Sequence, residues 1–314
     1  MILYMMFGHI ISWTNLNTSI VYISLDRVFF FFMPWFFYKS GVFYNGKSAK
    51  EQWNNRNKLL VPYFFWGVLG IFTYYLRNIE DLDLSKLIVQ PVMSLFFYGT
   101  FEGNSALWFL LSLLIVKCTY PLLILKMKNW QIVALTLIIT IGIVITKVNN
   151  ITIFPEYLNN SIAGLLFYVI GVEMRDEQYN KKIFSLSALI FISILFYMPS
   201  RISFYHLRLI EGSVFLWIIA SISGIILVNN LANILFKRYS ERKTLLMYIG
   251  ENSMFFYVSH FIIGNIIYVL LKYFKMTPEN NYLMFGIYLF AFILFLPIGS
   301  KLFKCKNLKI FVGG

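Results

Sequence analysis

Four ionisable side chains fall inside apolar stretches of this 314-residue chain: His9, Asp26, Arg27 and His260. Such groups are costly to desolvate at membrane depth and usually line a cavity or a pathway. His9 lies in "MMFGHIISW" (5–13) and His260 in "FFYVSHFII" (255–263). Imidazole titrates near neutral pH, so His9 is suited to take a proton from a hydroxyl as a general base. The alternative is a neutral ring bonded to a neighbouring helix. The same two readings, structural or substrate-facing, stand for His260. Asp26 and Arg27 are adjacent, and either bind a polar acceptor or snorkel into the membrane interface. A further pair, Arg56 and Lys58, stands just before Pro62 in "NNRNKLLVPYFFW" (54–66). Two cations at a helix N-terminus form a phosphate site, because the backbone N–H groups there also favour anions. Residues two apart on a helix point to nearly opposite sides, so Arg56 must precede the helix proper for both to serve one site. The alternative is loop charge that only orients the helix in a membrane.

The elements that would position these groups are transmembrane helices. The chain is 59% hydrophobic and 13% charged, about half the charge fraction of a soluble domain. Its polar side chains are too few to cover a water-facing surface. Runs such as "GSVFLWIIASISGIILVNNLANILF" approach the roughly 20 residues that span a bilayer, and they do not alternate as barrel strands would. The expectation is an all-α polytopic membrane bundle, one integral-membrane domain over 1–314. It has about ten helices, near 1–13, 20–38, 59–76, 105–125, 130–148, 159–174, 183–199, 213–236, 248–272 and 282–300. "LIVQPVMSLFFYG" (87–99) is too short for a span and reads as interfacial or re-entrant.

The net charge of +13 points to the membrane and not to nucleic acid, because the cations gather in short loops. With Lys117, the loops 39–58, 126–129, 175–182 and 237–247 and the tail from Lys301 onward hold 19 of the 27 Lys and Arg residues; the intervening loops hold seven. The basic side is expected to be cytoplasmic, with both termini on it. Cys118 and Cys305 match no metal or redox spacing, and no metal is expected.

Several stretches, in order, resemble acyltransferase family 3, the membrane O-acyltransferases. "FGHI" resembles the family's first-helix glycine–histidine. "FFFFMPWFFYKSGVFY" (29–44) resembles its second-helix signature, and "RNKLLVPYFFW" (56–66) the basic stretch before its third helix. "ALWFLLSLLIVK" (106–117), "YVIGVEMRDE" (168–177) and "YIGENSMFFYVSHFII" (248–263) resemble later family segments. The resemblance implies transfer of an acyl group, often acetyl, from acetyl-CoA on the cytoplasmic side to a hydroxyl of a sugar in a surface polysaccharide or lipid-linked glycan. It implies that His9 is the essential histidine and that Arg56 and Lys58 serve the donor. The setting it implies is the cell membrane, among lipid and polysaccharide-assembly proteins. Four departures accompany it. No charged residue precedes His9, and a first helix of about 13 residues covers only about 20 Å of a roughly 30 Å core, so a chain that starts late is expected. Asn55 occupies the place three before Lys58 where the family carries a cation, with Arg56 standing in. Phe32 replaces a histidine. No soluble domain is expected after the last helix, so the bundle or a separate partner would complete the transfer.

Under this reading acyl-CoA docks near Arg56 and Lys58, and His9 deprotonates the attacking hydroxyl. General-base help of this kind supplies about 10²–10⁴-fold, or about 3–5 kcal/mol. A two-step variant passes through an acyl-histidine. Glu102, Asn104 and Trp108 combine an aromatic face with polar groups, which suits a sugar ring; an interfacial aromatic belt is the alternative. Two rival functions are a carrier or flippase for a lipid-linked glycan, and an inactive relative with a shortened first helix. Matched halves or broken helices would mark a transporter, and neither is evident in the sequence.

Overall fold

Each of the ten apolar segments is helical in the computed structural model, which describes residues 1–175, 181–239, 245–276 and 280–314. The chain opens with α1 (Ile2–Trp13), α2 (Ile20–Phe29), α3 (Phe32–Val42), the short α4 (Ala49–Asn54) and the long α5 (Asn57–Arg77). A π-helical turn (Ser85–Val89), α6 (Gln90–Met93) and a second π-helical turn (Ser94–Tyr98) form one short helical stretch. A 3₁₀ turn (Ser105–Leu107) leads into α7 (Trp108–Leu123), then α8 (Asn129–Val148), α9 (Glu156–Glu173) and α10 (Lys181–Tyr197). An antiparallel hairpin of β1 (Arg201–Ser203) and β2 (Arg208–Glu211) precedes α11 (Val214–Tyr239). The chain closes with α12 (Leu245–Glu251), α13 (Ser253–Tyr273), α14 (Asn281–Leu302) and a 3₁₀ turn at Lys309–Val312.

The structure revises several expected elements. The continuous helix over 20–38 is broken at Phe30–Phe31. Pro34 has no N–H to give the carbonyl four residues back, and it sits in the first turn of α3, where that loss costs nothing. The helix expected at 59 starts two residues earlier, which moves Pro62 from the first turn to the helix interior and leaves the Lys58 carbonyl without its usual partner. The segment 248–272 is two helices, parted at Asn252. The hairpin was not expected. Of the basic loops, residues 176–180 and 240–244 lie outside the described residues, as do Asp176 and Glu177 of the "YVIGVEMRDE" segment. Among the described residues, seven helical stretches are long and apolar enough to cross a membrane: 20–42, 49–77, 105–123, 129–148, 214–234, 253–273 and 281–302. Of the other three expected spans, α1 and the 182–197 part of α10 are apolar but short, and α9 carries Asn159, Asn160 and a glutamate at each end.

The chain forms two compact units, and neither is continuous in sequence. One comprises Met1–Ser24, Asn55–Leu111 and Leu245–Gly314; the other comprises Leu25–Asn54 and Ser112–Thr244. In the first unit α13 packs against α1, α5 and α14. α5 runs parallel to it: Trp66 meets Phe255, Thr73 meets Asn265, and the Arg77 guanidinium lies over Tyr268. In the second unit α3 lies along α9, also parallel. Phe37 fits over Gly164, and Gly41 lies against the Tyr168 carbonyl, where a Cβ would collide with backbone. Small residues at such crossings let apolar helices pack closely without water to drive them together. Lys147 at the end of α8 forms a buried ion pair with Glu156 at the start of α9.

Candidate active site

His9 and Trp13 are four apart on α1, and His260 and Gly264 are four apart on α13, so each pair shares a helix face. The two rows meet in step. The His9 and His260 rings lie 5.2 Å apart, tilted by 34°. One turn further on, the Trp13 indole covers Gly264, where an added Cβ would come within 2.5 Å of the ring. Phe261 closes the side of the site, 4.7 Å from His9 and 4.9 Å from His260 between ring centres. Tyr288 and Phe292 of α14 hold the far side of Trp13.

The two imidazoles differ in what they can do. His260 is 0% exposed, and its Nδ1 lies 2.6 Å from the Tyr257 carbonyl oxygen. A carbonyl only accepts, so Nδ1 carries the hydrogen and Nε2 carries a lone pair. That Nε2 is buried and has no hydrogen-bond partner. His9 remains partly exposed and is the more accessible of the two rings. An aromatic wall, one reachable ring and one buried acceptor make an arrangement suited to moving a proton.

The loop before α7 is tied to this site by α13. Tyr257 donates its hydroxyl to the Ala106 carbonyl. The Asn104 amide donates to the Val258 carbonyl at 2.9 Å and to the Trp66 carbonyl at 3.5 Å. Asn265 donates to the Gly103 carbonyl at 2.8 Å and to the Thr73 hydroxyl at 3.2 Å. Asn104 and Trp108, expected to face a sugar, are therefore buried, and Asn104 clamps α13 to α5. Glu102 is half-buried and accepts the Ser94 hydroxyl.

Arg56 caps α5 from the preceding turn, and Lys58 is the second residue of the helix. Arg56 thus precedes the helix proper, with helical φ of −54° and ψ of −30°. Arg56 is half-buried and Lys58 exposed, which suits cations that meet a soluble anion. The chain's end packs beside them. Trp66 donates its indole N–H to the Phe311 carbonyl at 2.8 Å, Phe65 stacks on Phe311 at 4.1 Å, and Gly313 lies against the Lys58 carbonyl that Pro62 leaves open. Sequence reasoning gave this tail only its charge.

Asp26 and Arg27 belong to the second unit. Asp26 pairs with Arg201 at 2.5 Å, Arg201 with Glu211 at 3.0 Å, and Arg27 with Glu211 at 3.8 Å. Their charges are matched across the hairpin, a role the sequence did not reveal. Trp13 and Phe261 were also missed. Their spacing of four from His9 and one from His260 was the available signal.

A membrane-embedded helical protein with a paired histidine site is the class that fold and geometry define. The family model described as an acyltransferase domain, acyltransferase 3, matches residues 1–300. The chain belongs to this family and is a multi-pass membrane acyltransferase. No curated protein and no solved structure matches it.

Proposed function

We propose that this protein transfers an acyl group, acetyl by preference, from cytoplasmic acyl-CoA to a sugar hydroxyl of a surface polysaccharide or lipid-linked glycan at the cell membrane. The observation that carries the proposal is the partly exposed His9 against the buried, unpartnered Nε2 of His260. In this reading the His9 ring turns, when substrate binds, to donate its N–H to that Nε2, a bond absent from the substrate-free structure. Its other nitrogen is then a lone pair aimed at substrate. The sugar oxygen attacks the thioester carbonyl as His9 takes its proton, the C–O bond forms, the C–S bond breaks, and the proton passes to the departing thiolate. His260 acts through His9 and does not touch the sugar. Arg56 and Lys58 hold the donor's phosphates. The acceptor and any polysaccharide-assembly partner meet the chain at the opposite membrane face.

The same reading takes the ten helical segments as ten crossings, with both termini on the basic, cytoplasmic side. Parallel packing of the third with the ninth, and of the second with the sixth, supports this count. Only an even number of steps along the chain makes two spans parallel.

The test is acetyl content of the surface polysaccharide with wild type and with His9→Ala. The expected result is loss of acetylation with polymer export intact. Loss of export with acetyl retained would favour a carrier, and no change in either would favour an inactive relative.

A further inference from the structure

The second unit contains a polar cavity of about 190 Å³ that acyl transfer, as proposed, does not use. Tyr38 and Lys39 reach it from α3, Arg175 from just beyond α9, and Asn229, Asn230 and Asn233 from α11. Its size alone exceeds what one water needs, about 10–15 Å³ by a comparable measure. Two cations line it, and among the described residues no carboxylate does. Lys39 also lies 5.8 Å from the Trp35 ring centre, and Arg175 gives one N–H to the Tyr44 carbonyl at 2.8 Å.

Asn229 is the telling residue. Both its amide nitrogen and its amide oxygen are buried, and neither has a hydrogen-bond partner. Its neighbour Asn230 solves the same problem locally, donating to the Ile226 carbonyl at 3.0 Å. Buried polar groups in folded proteins are satisfied with few exceptions, and each exception calls for a physical reason. Asparagine is also a weak helix former, so three in five residues of α11 contribute little to the helix itself. An unpaired amide on a residue that lines a cavity with two cations suits a ligand that carries acceptor oxygens and a hydroxyl.

We propose that this cavity binds a phosphate ester flanked by a hydroxyl. Its oxygens accept from Lys39, Arg175 and the Asn229 amide N–H, and its hydroxyl donates to the Asn229 oxygen. Tyr38 and Lys39 lie near the end of α3 and Arg175 just beyond α9, at the start of sequence stretches rich in basic residues, while the asparagines lie within α11. Two sources of that chemistry exist there: the headgroup of an anionic phospholipid, or a soluble phosphate ester such as coenzyme A. The cavity shares no residue with the His9 site or with Arg56 and Lys58.

The experiment is a thermal shift of the purified full chain in non-ionic detergent. The probes are phosphatidylglycerol, coenzyme A and inorganic phosphate, with phosphatidylcholine as the zwitterionic control. The wild type is expected to gain stability with phosphatidylglycerol or coenzyme A; because coenzyme A also meets Arg56 and Lys58 in the acyl-transfer reading, its response is read in the Arg56→Gln background, and the probe whose response the cavity variants lose identifies the source. Asn229→Leu and Lys39→Gln should each raise the concentration needed by at least tenfold. His9→Ala and Arg56→Gln should leave that component unchanged. Without ligand, Asn229→Leu should melt at or above the wild-type temperature, since it removes an unpaired amide; its lost response is then not a folding defect. No shift with any probe, or a shift in the Arg56→Gln background that survives both cavity variants, overturns the proposal.

Discussion

At the scale of single residues, the decisive question is what His260 does for His9. A structural ring, needed only for packing, would be replaced equally well by any side chain of similar volume. An acceptor that holds the His9 N–H would not. We therefore expect His260→Leu to lower kcat by about 10–100-fold, the range found when the outer partner of a metal-bound imidazole is removed, with KM for acyl-CoA little changed. His260→Gln, which keeps an acceptor near the same place, should recover most of the loss. Equal kcat for the two variants would reduce His260 to packing. Sequence reasoning found both histidines, because an ionisable group inside an apolar run stands out. It could not pair them, since 251 positions separate them and no periodicity connects them. Asp26 with Arg201, and Lys147 with Glu156, were hidden in the same way: sequence shows each charge, and only the fold shows its partner.

At the scale of elements, the helices were legible because lipid imposes a length and an apolar composition on each span. What composition does not record is where backbone hydrogen bonding fails. The break at Phe30–Phe31 follows from Pro34, and that signal was present in "FFFFMPWFF". The hairpin 201–211 was missed because it is short and because Arg201 and Glu211 pair with α2 and with each other, not through an alternating apolar face. The contact of α1 with α13 is the element-scale determinant of the site. It depends on Gly264 leaving room for Trp13. Gly264→Ala should push α1 outward, at a cost of about 1–3 kcal/mol for overpacking, and move His9 off His260. Its activity should fall while the protein still reaches the membrane, and adding Trp13→Phe should restore part of it. Full activity of Gly264→Ala would show that the helix contact does not set the His9 position.

At the scale of the whole molecule, charge and helix direction make independent claims about the same topology. The basic loops assign alternate connections to one side, and the parallel packing of α5 with α13 and of α3 with α9 requires an even number of steps from one span to the other, with an odd number of crossings between them. Charge could be misread where a cation is engaged elsewhere, as Lys147 is in its buried pair. Packing direction carries no such ambiguity, but it cannot say which side is the cytoplasm. Labelling can. Cys305 is exposed in the tail after α14, and Arg208 is exposed on the hairpin. With Cys118 replaced by serine, Cys305 should resist a membrane-impermeant maleimide in intact cells and react in inverted vesicles. In a background without native cysteines, Arg208→Cys should show the reverse. If both label from the same side, an even number of crossings separates Arg208 from Cys305 and not the three of the ten-span reading, and His9 would lose its expected approach from the donor's side of the membrane.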